Sequence, residues 1–490
     1  MANYDFDIGI MGGGAAGLTV AAGAAQAGAK ALLVEKEGRL GGDCLYYGCV
    51  PSKTLIRTAR VYHLMKHARR FGLPGVVLQR PDYREISARI NSVIATIQEH
   101  DSEERFCNLG VKVEYGQATF VDERSISLNG KRYSAKNWVI ATGSSAALPP
   151  LEGLKETPFI TNRDVFSLPK LPGSMVIIGG GPIGIEMAQA FARLGTKVTV
   201  VEFLTQILNA DDADMTDTVR EVLKGEGVQF FLGSAVQSVR HGGLEHEVTF
   251  KKGDESGTAR GEIILVATGR KANLEGMGLD RIGVAMDRRG LKLDDKLRTS
   301  QGHIYGAGDV TGTYQFTHAA GYEGGIVLSN AVFHFPRKVS YAHVPWVTYT
   351  DPELASIGMN EKSARAAGIK YSVWSEPFEN NDRSLAEGEN MGRIKMLLDE
   401  KERLMGVQIL GPRAGDLLSE WVAVMHGNIK LSTLASAVHP YPTLGEINKR
   451  VAGNFLATKI FSEKVKRALK FFFNLKGRAC GEGPLGEGRL

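Results

Sequence analysis

The run FDIGIMGGGAAG at residues 6–17 decides the fold class of this 490-residue chain. A strand-like segment leads into a G-x-G-x-x-G loop, an alanine-rich helix follows, and a second strand ends at Glu35. In such units the first glycine makes a tight turn, the second lets the backbone approach a pyrophosphate, and the third packs helix on strand. The phosphates face the helix N-terminus, and the acid accepts hydrogen bonds from a ribose. The three loop glycines are Gly12, Gly14 and Gly17.

The same unit returns at residues 174–202, where a second strand, glycine loop, helix and strand end at Glu202. A lone G-x-G-x-x-G is a weak signal, but two complete units in one chain predict two dinucleotide sites. The second set of loop glycines is Gly179, Gly181 and Gly184.

The end of the second unit also bears on the choice of nicotinamide cofactor. An acid at this place bonds a free 2′-hydroxyl and repels a 2′-phosphate. Glu202 is followed by Phe203, Leu204 and Thr205, with no arginine to hold that phosphate. The sequence therefore favours NAD(H) over NADP(H); the alternative is that Glu202 points elsewhere and both are accepted.

Two cysteines with four residues between them stand in GGDCLYYGCVPSK, residues 41–53. Cys44 and Cys49 at this spacing can alternate between dithiol and disulfide and so carry two electrons without a metal. A structural disulfide or half of a zinc site is the alternative, but no second Cys/His pair stands at ligand spacing. We predict no metal site, and we expect Cys107 to be a small buried hydrophobe.

Composition agrees with a large globular enzyme of several domains, at 43% hydrophobic and 23% charged residues. Four cysteines argue against a disulfide-stapled secreted protein, and neither a signal peptide nor a membrane-spanning run is seen, so we expect a cytoplasmic location. The net charge is +5, of which residues 463–490 supply +4 and the body only +1. No broad basic surface suggests nucleic acid.

Together these motifs resemble the class I pyridine nucleotide-disulfide oxidoreductases, the family that includes lipoamide dehydrogenase, glutathione reductase and mercuric reductase. Four further runs carry the resemblance: IATGS at 140–144, VATGR at 266–270, HIYGAGDVTG at 303–312, and VPWVTYTDPELASIG in the segment that opens at about residue 341.

The resemblance implies an α/β fold with two Rossmann-like dinucleotide-binding domains, the FAD domain split and the NAD domain inserted, plus a C-terminal α+β dimerisation domain. The implied segments are the first FAD part at 1–150, the NAD(P) domain at 151–272, the second FAD part at 273–340, the dimerisation domain at 341–462 and a basic amphipathic tail at 463–490.

The resemblance also implies a homodimeric FAD enzyme in which Cys49 lies against the flavin and Cys44 is the outer, interchange thiol. A thiolate is needed, so flavin, a helix N-terminus or a nearby cation should lower its pKa. Lys53 resembles the family lysine near the flavin, and Glu186 stands where its ionic partner is expected. Further cofactor contacts are implied for Thr142, Gly143, Gly269 and Asp309.

The acid-base partner of the interchange thiol is ambiguous in AVHPYPTLGEINKR, residues 437–450. Lipoamide dehydrogenases place a histidine directly before Pro-Thr and five residues before a glutamate. Counted from Glu446, that position holds Tyr441, as in mercuric reductases, whereas His439 lies seven residues before Glu446. Either His439 acts through a two-residue shift or Tyr441 holds the place, and a tyrosine is a poor base at neutral pH.

We therefore expect an NAD(P)H:disulfide oxidoreductase like dihydrolipoamide dehydrogenase, acting on a small disulfide or thiol. The alternatives are a mercuric reductase-like enzyme for a soft metal or other electrophile, a diaphorase or transhydrogenase with incidental thiols, and a redox sensor with structural FAD. The tail has only Cys480 where mercuric reductases carry a cysteine pair.

The tail run KVKRALKFFFNLKGR, residues 464–478, has an apolar helical face with basic residues around much of the rest. Packing on the protein itself is the favoured interpretation, and weak contact with an anionic membrane surface is the alternative. The apolar positions are Val465, Leu469, Phe472 and Leu475.

Overall fold

The computed structural model describes residues 4–477 and residue 479. The chain divides into unit 1, Met1–Asn209 with Arg220–Tyr341, and unit 2, Ala210–Val219 with Ala342–Leu490. The α-helices are α1 Ala15–Gln26, α2 Gly42–Tyr46, α3 Cys49–Lys66, α4 Tyr83–Gln98, α5 Glu103–Asn108, α6 Pro182–Leu194, α7 Ala213–Gly225, α8 Thr317–Ala331, α9 Glu361–Ala366, α10 Asp382–Glu387, α11 Ala414–His426, α12 Leu431–Ser436, α13 Glu446–Ile460 and α14 Glu463–Phe473.

Strands and helices are both abundant in each unit. The strands are β1 Phe6–Met11, β2 Ala31–Glu35, β3 Val111–Tyr115, β4 Thr119–Asp122, β5 Ser125–Leu128, β6 Lys131–Ile140, β7 Ser144–Ala146, β8 Ser174–Ile178, β9 Lys197–Glu202, β10 Gln229–Leu232, β11 Ala235–Arg240, β12 His246–Lys252, β13 Glu255–Gly261, β14 Ile263–Val266, β15 Arg270–Ala272, β16 Ile304–Gly306, β17 Pro345–Thr348, β18 Glu353–Gly358, β19 Tyr371–Pro377, β20 Arg393–Asp399 and β21 Leu404–Gly411.

The first sheet of unit 1 has a parallel part in the order β3-β2-β1-β6-β16. Its strands read as nearly continuous apolar runs because helices cover both faces of parallel sheets. Strand β16 pairs with β6 although more than 160 residues separate them. The chain therefore leaves this sheet, builds a second one and returns, as the split FAD domain predicts.

The second sheet of unit 1 is parallel, in the order β10-β9-β8-β14. Strand β8 enters the second glycine loop, α6 follows it, and β9 returns beside β8. An antiparallel meander of β11, β12 and β13 adds to this region. The prediction of an α/β fold with two dinucleotide-binding units is confirmed, whereas the five segment boundaries stay a prediction.

Unit 2 is built on an antiparallel sheet in the order β17-β18-β21-β20-β19. Its core joins the sheet to α11, α12 and α13 around the fully buried Trp421. This is the predicted α+β arrangement of the C-terminal region.

Residues 210–219 belong to unit 2, although the sequence assigns them to the segment 151–272. The buried ammonium of Lys395 holds them, 2.8 Å from Asp212, 3.0 Å from Asp214 and 2.6 Å from Glu361. These three carboxylates are close enough together to hold a metal ion, but the lysine already supplies the positive charge. The cluster is therefore a structural ion pair network.

No helix in the part of the chain that the structure describes is long and apolar enough to cross a membrane.

Candidate functional site

The glycines of the first loop have the conformational and steric requirements that the sequence predicts. Gly12 has φ +113°, and a Cβ there would lie 2.3 Å from the carbonyl oxygen of Ala141. A Cβ on Gly17 would lie 1.9 Å from the carbonyl oxygen of Gly12, so α1 packs directly on the turn. Around Gly14, by contrast, the nearest atom to an added Cβ is 3.9 Å away. The open space at the second glycine is where a pyrophosphate must approach.

The loop that carries the cysteines is pressed onto this nucleotide loop. An added Cβ on Gly42 would lie 2.8 Å from the Cα of Gly14, and the amide of Gly41 donates to the carbonyl of Gly13 at 2.8 Å. Only glycine permits backbones this close. The thiols are therefore placed beside the nucleotide loop by direct backbone contact.

A cavity of about 310 Å³ opens beside the first loop and fits the nucleoside part of FAD. Glu35 lies in its wall with both carboxylate oxygens engaged, accepting from the amides of Gly13 at 2.7 Å and Glu37 at 2.8 Å. Thr142 lines the same cavity and donates to the carbonyl of Asn273 at 2.6 Å. The open space at Gly14, the N-terminus of α1 and the buried carboxylate of Glu35 together form a site that suits an adenine dinucleotide.

Asp309 lies in a polar cluster that sequence reasoning found only in part. Its carboxylate accepts a hydrogen bond from Ser144 and lies 3.6 Å from Arg270, which also pairs with Asp43 at 3.0 Å. Burial raises the pKa of Asp309. Glu323, fully buried, accepts from the amide of Gly308 at 2.6 Å and so shapes the turn before Asp309. Arg270 is the last residue of VATGR, and the resemblance of that run to the family was the only signal that could have indicated it.

Cys44 lies in α2, and Cys49 is the first residue of α3, an 18-residue helix. Both are free thiols in the structure. A hydrogen bond from Cys44, with that from Thr317 at 3.4 Å and the charge of Lys53, outweighs desolvation and lowers the pKa of Cys49 to about 6. The same hydrogen bond and burial raise the pKa of Cys44. Cys49 is therefore the thiolate of the pair near pH 7.

Lys53 and Glu186 form the ion pair that the sequence predicts, with 2.9 Å between Nζ and Oε2. Lys53 is one turn along α3 from Cys49, and Glu186 is buried on α6. A carboxylate buried at this position keeps the lysine charged and oriented. The pair thereby joins the thiol helix to the helix of the second nucleotide unit.

The second nucleotide loop repeats the geometry of the first. A Cβ on Gly184 would lie 2.1 Å from the carbonyl oxygen of Gly179, whereas no atom lies within 4 Å of one on Gly181. Glu202 accepts from the amides of Gly180 and Leu204, the latter at 2.7 Å. Gly269, with φ +128°, lies in the turn after β14. In each of the two nucleotide-binding motifs, the acid at the end of the second strand is thus held by amides that include one of its own glycine loop.

His439 is tied into its own unit through both ring nitrogens. Nε2 lies 2.9 Å from Glu420, and Nδ1 lies 3.3 Å from the carbonyl of Ala437. Glu420 also accepts from Asn448 at 2.9 Å, and Asn448 in turn accepts from the indole of Trp421 at 2.8 Å. The sequence analysis missed Glu420, because it stands 19 residues before the histidine and outside any motif.

Tyr441 is presented to solvent, with 69% of its surface exposed, and donates to Asp382 at 2.9 Å. That hydrogen bond raises the pKa of Tyr441, so the phenol is neutral at physiological pH. Among the described residues, Glu446 makes no hydrogen bond to His439 or to Tyr441. Its Oε2 is buried and has no hydrogen-bond partner among them. Glu420, and not Glu446, is the carboxylate that orients His439.

Two further cysteines were considered in the sequence analysis. Cys107 is exposed, so its expected burial is wrong; it faces outward from the short helix α5, of which Phe106 is the buried residue. Cys480 lies outside the described residues.

Comparison with known proteins matches the chain to one family of oxidoreductases. The family pattern "Pyridine nucleotide-disulphide oxidoreductase" matches residues 6–324, and its "dimerisation domain" matches residues 344–452. The chain is 33% identical to mitochondrial dihydrolipoyl dehydrogenase of Schizosaccharomyces pombe, over 91% of this chain and 89% of that protein. It is 31% identical to mercuric reductase of Bacillus cereus, over 91% of this chain and 70% of that protein.

Among solved structures, the chain is similar to the Cu(II) complex of the HOCl-induced flavoprotein disulfide reductase RclA from Escherichia coli. The TM-score is 0.80 at 26% identity, with 90% of this chain and 98% of that chain covered.

The thiol geometry predicts a reactive Cys49. In the reduced holoenzyme, alkylation of Cys49 should rise with pH around a midpoint at or below about 6, against about 8.5 for an ordinary thiol. Replacement Lys53→Met removes a cation that lowers this pKa, so the midpoint should rise. Peptide mass spectrometry after timed alkylation measures it, with Lys66→Met, further along α3, as the matched control. A midpoint near 8.5 in the unaltered enzyme would contradict the assignment.

The Glu420 network predicts a loss of stability on truncation. Glu420→Ala removes the acceptor of both His439 and Asn448 and should lower the free energy of unfolding by about 1–3 kcal/mol. Urea unfolding measures it, with Glu420→Gln expected to lose less because it keeps an acceptor oxygen. The exposed Glu379→Ala is the control, and an unchanged midpoint for Glu420→Ala would show that the network contributes nothing.

Proposed function

Because the chain belongs to the pyridine nucleotide-disulphide oxidoreductase family, we propose that it uses NADH to reduce a thiol-binding soft metal ion through Cys44 and Cys49. Family membership makes it a flavin-dependent oxidoreductase that uses a pyridine nucleotide. The choice of NADH and of the acceptor is the proposal.

The observation that carries the proposal is how His439 and Tyr441, the two candidate bases, are hydrogen-bonded and exposed. Both nitrogens of His439 face acceptors of its own unit, which supports a structural role for the imidazole. Tyr441 directly precedes Pro442-Thr443 and is exposed. A neutral phenol does not take a proton from a dithiol at neutral pH, but its hydroxyl can donate a hydrogen bond to a thiolate sulfur that holds a soft metal ion.

The thiols have the chemistry that such an acceptor needs. Cys49 is ionised near pH 7, and thiolate sulfur is the preferred ligand of soft metal ions. FAD, when bound, supplies two-electron transfer between the nicotinamide and the Cys44/Cys49 pair. Each NADH then becomes NAD+ and a proton, and its two electrons reduce one Hg(II) to the element or two Cu(II) to Cu(I).

A homodimer is part of the proposal, because in this family the residue facing the thiols comes from the other subunit. The match of residues 344–452 to the family's dimerisation domain supports it. Tyr441 lies within that matched region, so it would serve the thiols of the partner.

One other function keeps specific support. Dihydrolipoamide oxidation is supported by the similarity to dihydrolipoyl dehydrogenases, and it requires the Nδ1 of His439, now 3.3 Å from the carbonyl of Ala437, to be free to take a proton. A diaphorase or transhydrogenase would leave the thiols incidental, which the lowered pKa of Cys49 argues against.

Acceptor choice is the decisive measurement. We expect the holoenzyme to oxidise NADH with thiol complexes of Hg(II) or Cu(II), and to turn over lipoamide and dihydrolipoamide slowly. Tyr441→Phe should lower metal reduction about tenfold or more, the equivalent of one lost hydrogen bond at the reacting group. Tyr371→Phe, a tyrosine elsewhere in unit 2, is the matched control.

Each of the other functions gives a different result in the same assay. Fast lipoamide turnover in both directions, lost in His439→Gln, would identify a lipoamide dehydrogenase and overturn the proposal. Undiminished NADH oxidation by Cys49→Ser with every acceptor would identify a diaphorase.

Nicotinamide selectivity follows from Glu202. We expect a preference for NADH, because the carboxylate at the end of β9 repels a 2′-phosphate. Glu202→Gln keeps one acceptor oxygen for the loop amides but removes the charge, so the ratio of kcat/KM for NADPH to that for NADH should rise about tenfold or more. Glu255→Ala, an exposed acid of the nearby hairpin, is the control. Preferential use of NADPH by the unaltered enzyme would contradict this assignment.

A further inference from the structure

The last helix of the described chain, α14 at Glu463–Phe473, contributes no residue to any core. Three consecutive aromatic side chains at its end are among the most exposed in the protein: Phe471 at 82%, Phe472 at 74% and Phe473 at 70%. The sequence analysis favoured packing of this segment on the protein itself. That interpretation does not hold for the described residues, since the helix buries none of them.

The exposed apolar residues extend beyond the helix on both sides. Ile460 and Phe461 at the end of α13 are exposed, and so is Leu475. Leu475 lies past the helix, which ends where Asn474 adopts a left-handed conformation with φ +48°. A soluble monomer rarely exposes so many neighbouring apolar side chains, and such patches mark interaction surfaces.

The charges of α14 complement an anionic surface. Residues 463–473 carry four cations, Lys464, Lys466, Arg467 and Lys470, against the single anion Glu463. At about 100° per residue, Val465, Leu469 and Phe472 fall on one side of the helix. The cations Lys466, Arg467 and Lys470 fall on the opposite side, so the helix is amphipathic with a basic polar face. Phe473 and Phe471 lie at the two borders of that face, beside Lys466 and Lys464.

The charge distribution argues against a second copy of this chain as the occupant. Residues 463–490 hold +4 of the net +5, so the body has no large acidic excess to match a basic helix. The family's dimerisation domain ends at residue 452, before α14 begins. An anionic bilayer, by contrast, offers both a negative surface and an apolar layer within reach of the aromatic side chains.

We propose that α14 binds the protein to anionic phospholipid surfaces, with Val465, Leu469 and Phe472 toward the acyl chains and with the flanking aromatic rings and the cations at the level of the headgroups. The helix is an interfacial anchor and does not span the bilayer. This proposal does not rest on the choice of electron acceptor. It places the flavoenzyme at a membrane surface whatever it reduces.

Vesicle sedimentation of the full-length holoenzyme tests the anchor. We expect cosedimentation with vesicles of phosphatidylcholine containing about one third phosphatidylglycerol, little with phosphatidylcholine alone, and a decrease as salt screens the charges. Replacing Phe471, Phe472 and Phe473 with serine should weaken partitioning about tenfold or more. Replacing Lys464, Arg467 and Lys470 with glutamate should abolish the dependence on phosphatidylglycerol.

Matched controls separate the anchor from general effects of exposed residues. Phe333→Ser with Phe335→Ser removes exposed aromatics of unit 1, and Lys155→Glu, Lys251→Glu and Lys252→Glu together reverse three exposed charges there. Both controls should keep binding, and every variant should keep NADH oxidation.

Three results would overturn the proposal. The first is that the unaltered enzyme does not bind vesicles at low salt. The second is that the serine variant binds as well as the unaltered enzyme. The third is that the serine variant falls from dimer to monomer while the unaltered enzyme does not bind vesicles. The last result would assign α14 to a second copy. Because activity is read separately, failure of the anchor leaves the proposed reduction chemistry standing.

Discussion

The constraint on which the site depends is the backbone contact between the nucleotide loop and the cysteine loop. A Cβ on Gly42 would lie 2.8 Å from the Cα of Gly14, so Gly42 cannot carry a side chain without displacing the nucleotide loop. This contact sets the position of α2 and of the start of α3, and therefore of both thiols. The missing side chain of Gly14 leaves room for a pyrophosphate, and the missing side chain of Gly42 lets the cysteine loop lie against the same backbone.

The two nucleotide-binding motifs hold their glycine loops with the same kind of hydrogen bond. Glu35 and Glu202 each accept from the amide that follows the first loop glycine, that of Gly13 or Gly180, so the acid that is expected to meet a ribose also braces the turn. The ion pair of Lys53 and Glu186 then links α3 to α6. Through that link the helix that carries Cys49 is fixed to the helix of the second nucleotide-binding motif.

Sequence reasoning was strongest where a residue has a fixed offset within a motif. Glycine spacing indicated both turns, and the family resemblance, which places a glutamate early in the second nucleotide helix, indicated the pair of Lys53 and Glu186. It was weakest where a contact is made by tertiary packing alone. Nothing in the pattern marks Glu420, because only the packing of α11 against the loop before α13 brings it to His439. The exposure of Cys107 was missed for the same reason, since a short helix shows no clear buried face in its sequence.

The Lys395 cluster has a consequence for how this protein could have been assembled from parts. Its partners Asp212 and Asp214 come from the middle of the chain, whereas Glu361 and Lys395 come from the last third. The C-terminal unit is thus not a cassette encoded by one uninterrupted stretch of gene. A relative that received residues 342–490 alone, and had no acids at the positions of Asp212 and Asp214, would hold a buried ammonium short of two counter-charges, a costly outcome. Exchange of this module between relatives is therefore expected to carry the short inner segment with it, as a pair of co-inherited pieces.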